Sequence, residues 1–72
     1  MCEETRLSAV SFADAIVRDE RIAGVFANAA VKMEAAGSKH GAEHMRSVCR
    51  HHRIKALENL GRLAALNRGA RW

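Results

Sequence analysis

Apolar residues recur at three- and four-residue intervals along most of this chain, the spacing of one face of an α-helix. Ala9, Phe12, Ala13 and Ile16 form the first such face, with Val10 and Val17 as a weaker stripe beside it. The pattern pauses at Arg18-Asp19-Glu20-Arg21 and resumes with Ile22, Val25, Phe26, Ala29, Ala30, Met33 and Ala36. A third run, Met45, Val48, Cys49, His52, Ala56, Leu60, Leu63 and Ala64, repeats at about 3.5 residues and is widened by Leu57 and Leu66.

Punctuation sets the expected boundaries. Ser8 or Ser11 opens the first helix. Ser11 has Asp14 three positions on, in the manner of a capping box, and Val10 precedes it as a hydrophobic staple. Residues 1–6 are then a frayed terminus. Asp19 either caps a second helix or lies on the solvated turn of a continuous one, so the first arm is one bent helix or two short ones. Gly37-Ser38-Lys39-His40-Gly41 is the clearest break, with Gly37 suited to the left-handed position after a helix and Ser38 to capping the next. A long last helix runs from about residue 42 to 68, roughly 40 Å at 1.5 Å per residue. Asn67 and Gly69 end it, and Trp72 either docks on its seam or hangs free. Gly24 and Gly61 fall inside the helices, where each costs about 1 kcal/mol against alanine. Close packing against another helix offsets that cost, or Gly24 marks a bend; Gly61 is read as another close-approach point.

These elements make an all-α helical hairpin, with residues 1–72 as a single domain. Composition adds that its core is thin. Of 72 residues 14 are Ala, whereas Leu, Val and Ile together number 13, and Phe two. Small side chains bury little apolar area each. A chain this short is near the lower limit for a self-sufficient core. Two hairpins that close a four-helix-type bundle bury both apolar stripes, which favours a homodimer over a monomeric three-helix bundle. The expected dimer and core residues are Ile22, Phe26, Met33, Met45, Cys49, His52, Leu60 and Leu63. Proline is absent and the composition gives little support to a sheet.

Charge divides the chain. Residues 1–36 carry four basic and six acidic side chains, and residues 37–72 carry eight basic and two acidic, within a total of +4. Arg46, Arg50 and Arg53 fall at i, i+4 and i+7 and share one helical ridge. Lys39, His51 and Lys55 extend the positive patch. Such a ridge meets an acidic protein surface or follows a phosphate backbone, unless it serves only as a solvated helix face or a rim complementary to the acidic half. Polar readers for base edges and aromatics for stacking are nearly missing from it, so nucleic acid, if bound, is held by its backbone. A helix-turn-helix is disfavoured, because the best turn precedes a very long helix.

All four histidines lie between residues 40 and 52, with Cys49 among them. On one helix His44 and His51 are about 20° apart, but Cys49 lies about 140° round from His44, so the cluster splits between two faces. A tetrahedral zinc site needs four converging donors. No metal or other cofactor is therefore expected. His40, His44 and His51 remain candidates only if an assembly or a folded-back loop gathers them. Cys49 with His52 matches a nucleophile and base in composition alone, without a third group to orient the base or a pocket for substrate, and no enzyme activity is expected. Two cysteines make no disulfide framework, no segment is long and apolar enough to span a bilayer, and Met1-Cys2-Glu3-Glu4 is no signal-peptide start. The expectation is a cytoplasmic regulator or adaptor that binds a protein with an acidic surface and no membrane. Nucleic-acid binding through the phosphate backbone is the alternative.

Overall fold

The computed structural model describes residues 2–69. It holds two helices, α1 (Glu3–Ala35) and α2 (Lys39–Gly69), packed against each other as an antiparallel hairpin. No strand occurs among the described residues. The hairpin is a slender rod of 55 × 14 × 12 Å. Its radius of gyration is 16.3 Å, against about 11 Å for a compact domain of this length.

α1 is a single helix, not two short ones. It starts at Glu3, ahead of the serines, so residues 3–6, expected to be frayed, belong to the helix. Cys2 sits at the N-cap in extended conformation, and its Sγ accepts a hydrogen bond from Thr5 N at 3.4 Å. Glu3 and Glu4 place negative charge in the first turn, where the helix dipole favours it. The helix runs unbroken through Arg18-Asp19-Glu20-Arg21, and Asp19 caps nothing.

The turn is tighter than the sequence suggests. Gly37 N donates to Glu34 O at 3.0 Å and Ser38 N donates to Met33 O at 2.8 Å. These two bonds satisfy carbonyls at the end of α1, in the paired pattern that needs a left-handed residue between them. Gly37 is that residue, with φ +85°. α2 begins at Lys39 directly after Ser38, whose carbonyl accepts from Ala42 N at 3.0 Å. Gly41 thus lies inside α2. A Cβ there would stand 2.7 Å from both Met33 Sδ and Ser38 Oγ, so glycine lets α2 start close against α1.

Burial follows a seven-residue repeat on both helices. On α1 it contains Ala9, Ile16, Ala23 and Ala30, together with Phe12, Asp19, Phe26 and Met33; every one of them is buried or half-buried. On α2 it contains Ala42, Cys49, Ala56 and Leu63, with Met45, His52, Asn59 and Leu66, again all buried or half-buried. Two seams with this spacing wind around each other as in a coiled coil. The fully buried apolar positions are Ala23, Ala30, Ala42, Cys49 and Ala56, all small. Small groups bring the two axes close and leave the larger side chains on the flanks.

Several expectations change on this ground. Of the expected core residues, only Cys49 is fully buried; Ile22, Phe26, Met33, Met45, His52 and Leu63 are half-buried, and Leu60 is 52% exposed. Gly24 and Gly61 have open space where a Cβ would be, so neither is a close-approach point within the hairpin. Trp72 lies outside the described residues.

Candidate functional site

The small-residue seam divides the hairpin into two long faces with different chemistry. The first holds the arginines. Arg46, Arg50 and Arg53 stand one helical turn apart on α2 and, with Cys49, line one wall of a groove of about 370 Å³. Ala27, Ala30 and Val31 form the rest of its lining. Toward the open end of the hairpin a second groove, of about 420 Å³, is lined by Ile16, Glu20 and Ala23 of α1 and Ala56, Leu57 and Leu60 of α2, together with Arg53. Arg53 borders both, so they form one continuous face, basic near the turn and apolar beyond it. Arg46 is paired with Glu34 across the helices. That pair is exposed on both sides and contributes little to stability. Arg50 is exposed.

The other face carries the polar feature of the hairpin. His52 Nδ1 lies 2.8 Å from Asp19 Oδ1, and Lys55 Nζ lies 3.8 Å from the same oxygen. Asp19 is only 1% exposed and is the largest side chain to be fully buried. The hydrogen bond from His52 holds its carboxyl below the usual carboxylate range; burial opposes this, and the charges of Lys55 and Arg18 add to it. The carboxylate is therefore the acceptor, which assigns the shared proton to His52 Nδ1. The ring of Phe26 stacks on His52 at 6.3 Å between centroids, with 8° between planes. His51 meets His52 edge-on at 5.6 Å. Asp19 Oδ2 is buried with no hydrogen-bond partner.

The structure thus regroups the expected site residues. Arg46, Arg50 and Arg53 stand together. Lys39 is the exposed first residue of α2, and His51 is exposed. Lys55 turns to Asp19 and stands apart from the arginine groove. His40 and His44 are exposed. Among the described residues no three His, Cys, Asp or Glu side chains come together as metal ligands. Asp19, expected on a solvated helix face, is the residue that sequence reasoning missed. Its signal was register: it stands seven positions from both Phe12 and Phe26, on the apolar seam.

No described helix is long and apolar enough to cross a membrane. No family model matches the chain, and neither does any curated protein or solved structure.

Proposed function

We propose that this protein is a small regulator or adaptor that acts by protein–protein interaction. Its arginine face receives an acidic surface of another protein, and the hairpin self-associates into a four-helix-type bundle. The observation that carries the reading is the lining of the groove: Arg46, Arg50 and Arg53 beside the apolar Ala27, Ala30 and Val31. A planar guanidinium fork suits a carboxylate, and the apolar floor suits the buried side of a partner helix. Two free thiols, Cys2 and Cys49, fit a reducing cytoplasm.

Binding to a nucleic-acid backbone is the second reading, and the one-turn spacing of three cations along a ridge favours it. It leaves the apolar floor without a role, which is why it ranks second. One experiment separates them. The Arg46→Ala, Arg50→Ala, Arg53→Ala triple variant is compared with the native chain for capture of host proteins, with and without nuclease, while circular dichroism follows the fold. The interaction reading expects native helicity, capture that survives nuclease, and loss of that capture in the variant. Loss of all bound protein on nuclease treatment, with affinity for nucleic acid falling steeply in salt, makes the phosphate reading the better one. Unfolding of the variant shows that the ridge is an internal contact and sinks both.

A further inference from the structure

We infer that the face opposite the arginines is covered by a second copy of this chain, set in register by the Asp19–His52 pair. The inference deepens the self-association part of the proposed function by naming the face and its occupant.

Helix geometry places Ile22, Phe26 and Met33 of α1 and Met45 and Val48 of α2 on the flank that holds Asp19 and His52. They include the largest apolar side chains of the hairpin, and each is only half-buried. The fully buried apolar positions between the helices are alanine and cysteine, and Asp19 is the one larger side chain buried with them among the described residues.

Area points to a partner of this size. The chain exposes 5413 Å². A compact monomer of 7.9 kDa exposes about 4,400 Å². The excess is about 1,000 Å², slightly more than the roughly 800 Å² that each partner contributes to a standard interface. One side of a rod 55 Å long and 14 Å wide is a surface of that order.

Charge selects the face and the occupant. A second copy on the arginine side would set Arg46, Arg50 and Arg53 against a surface of the same sign. On the opposite side the charged and titratable groups at the centre are Asp19, His52, Lys55 and the exposed His51 beside His52; Asp19 takes both His52 and Lys55 as partners, so the carboxylate and the ammonium offset each other. A second copy meets that offset pair there and not a row of three arginines.

Register follows from position. Asp19 and His52 stand near the middle of their helices. A two-fold related copy therefore brings the two polar clusters to the centre of one interface, each against the other. A shifted copy would set each cluster against apolar side chains, with the penalty of burying charge beside groups that offer no hydrogen bonds. Such a central polar group is a known means of fixing register in helical bundles. Covering the face also withdraws water from Lys55, which in the single hairpin is still 43% exposed beside Asp19.

The test is the mass of the full chain in solution, by sedimentation equilibrium over a wide concentration range. The native protein is expected at twice 7.9 kDa. The Ile22→Glu, Val48→Glu double variant is expected as a monomer. The milder Ile22→Ala, Val48→Ala pair, which puts no charge on the face, is expected to stay helical and raise the dissociation constant about ten-fold or more. The Val31→Glu, Leu57→Glu pair, on the arginine side, is expected to leave the mass unchanged. A native chain at 7.9 kDa throughout, or at any multiple other than two, overturns the inference. A monomer overturns self-association as well, and leaves the arginine face to its own experiment. A dimer indifferent to the Ile22 and Val48 changes but broken by those at Val31 and Leu57 overturns the choice of face alone.

Discussion

His52 donates from Nδ1 to Oδ1 of Asp19 at 2.8 Å, across the helix seam and 33 positions along the chain. The pair ties the midpoint of α1 to α2 at the one fully buried position that carries a charge among the described residues. Removing the acceptor leaves the imidazole proton without its partner, whereas asparagine keeps an oxygen in its place. Asp19→Ala is therefore expected to melt several degrees below the native chain, and Asp19→Asn between the two. Equal melting temperatures for all three would mean that the pair does not hold the hairpin.

The same carboxylate makes stability depend on pH in acid. Its value in the folded chain lies below the ordinary 3.8, chiefly because of His52, with Lys55 and Arg18 adding their charge against the cost of burial. A depressed folded value contributes stability that is present above the unfolded value and lost as pH falls through the folded one. The native melting temperature should thus decline as pH drops below 3.8. The decline should be shallower in Asp19→Asn, which has no proton to take up. Thermal melts of both chains with parallel slopes in that range would refute the assignment.

Two alanines of the seam are closed off from solvent. Ala30 and Ala42 are 2% and 0% exposed. Leucine at either position forces the helices apart, at a cost of about 1–3 kcal/mol. Ala35→Leu, at an exposed position on the same helix as Ala30, serves as the control and should be close to neutral. Urea denaturation measures the three. A neutral Ala30→Leu would contradict the close approach of the axes.

Two glycines should respond to alanine in opposite senses. Gly37 has φ +85° in the turn, where a side chain costs roughly 1–2 kcal/mol. Gly24 is helical with nothing near its missing Cβ, so alanine there should stabilise by about 1 kcal/mol. Destabilisation by Gly24→Ala would reveal a neighbour that the single hairpin does not contain.

Some of this was legible from the residues alone. The helical hairpin, the turn at Gly37 and the arginine ridge each depend on local rules: apolar spacing, a residue able to take positive φ, and charges one turn apart. These hold whatever the rest of the chain does. The start of α1 was misplaced because a cysteine, an uncommon cap, precedes better capping residues. The pause at Arg18-Asp19-Glu20-Arg21 suggested a break, since a carboxylate on an apolar stripe resembles solvent exposure until its partner is known.

That partner is on the other helix, and no local rule supplies it. The sequence determined that two amphipathic helices would form and fold back on each other at Gly37. The tertiary structure decided which residues lie between them: the small groups Ala23, Ala30, Ala42, Cys49 and Ala56 are fully buried in the seam, and the larger apolar groups stay half-buried or exposed. It also decided that Asp19 is buried and Lys55 leaves the arginine ridge. The physical reason is that burial is a property of pairs of surfaces. Spacing on one helix gives a stripe, but the distance between axes and the register of the partner settle which edge of that stripe is covered.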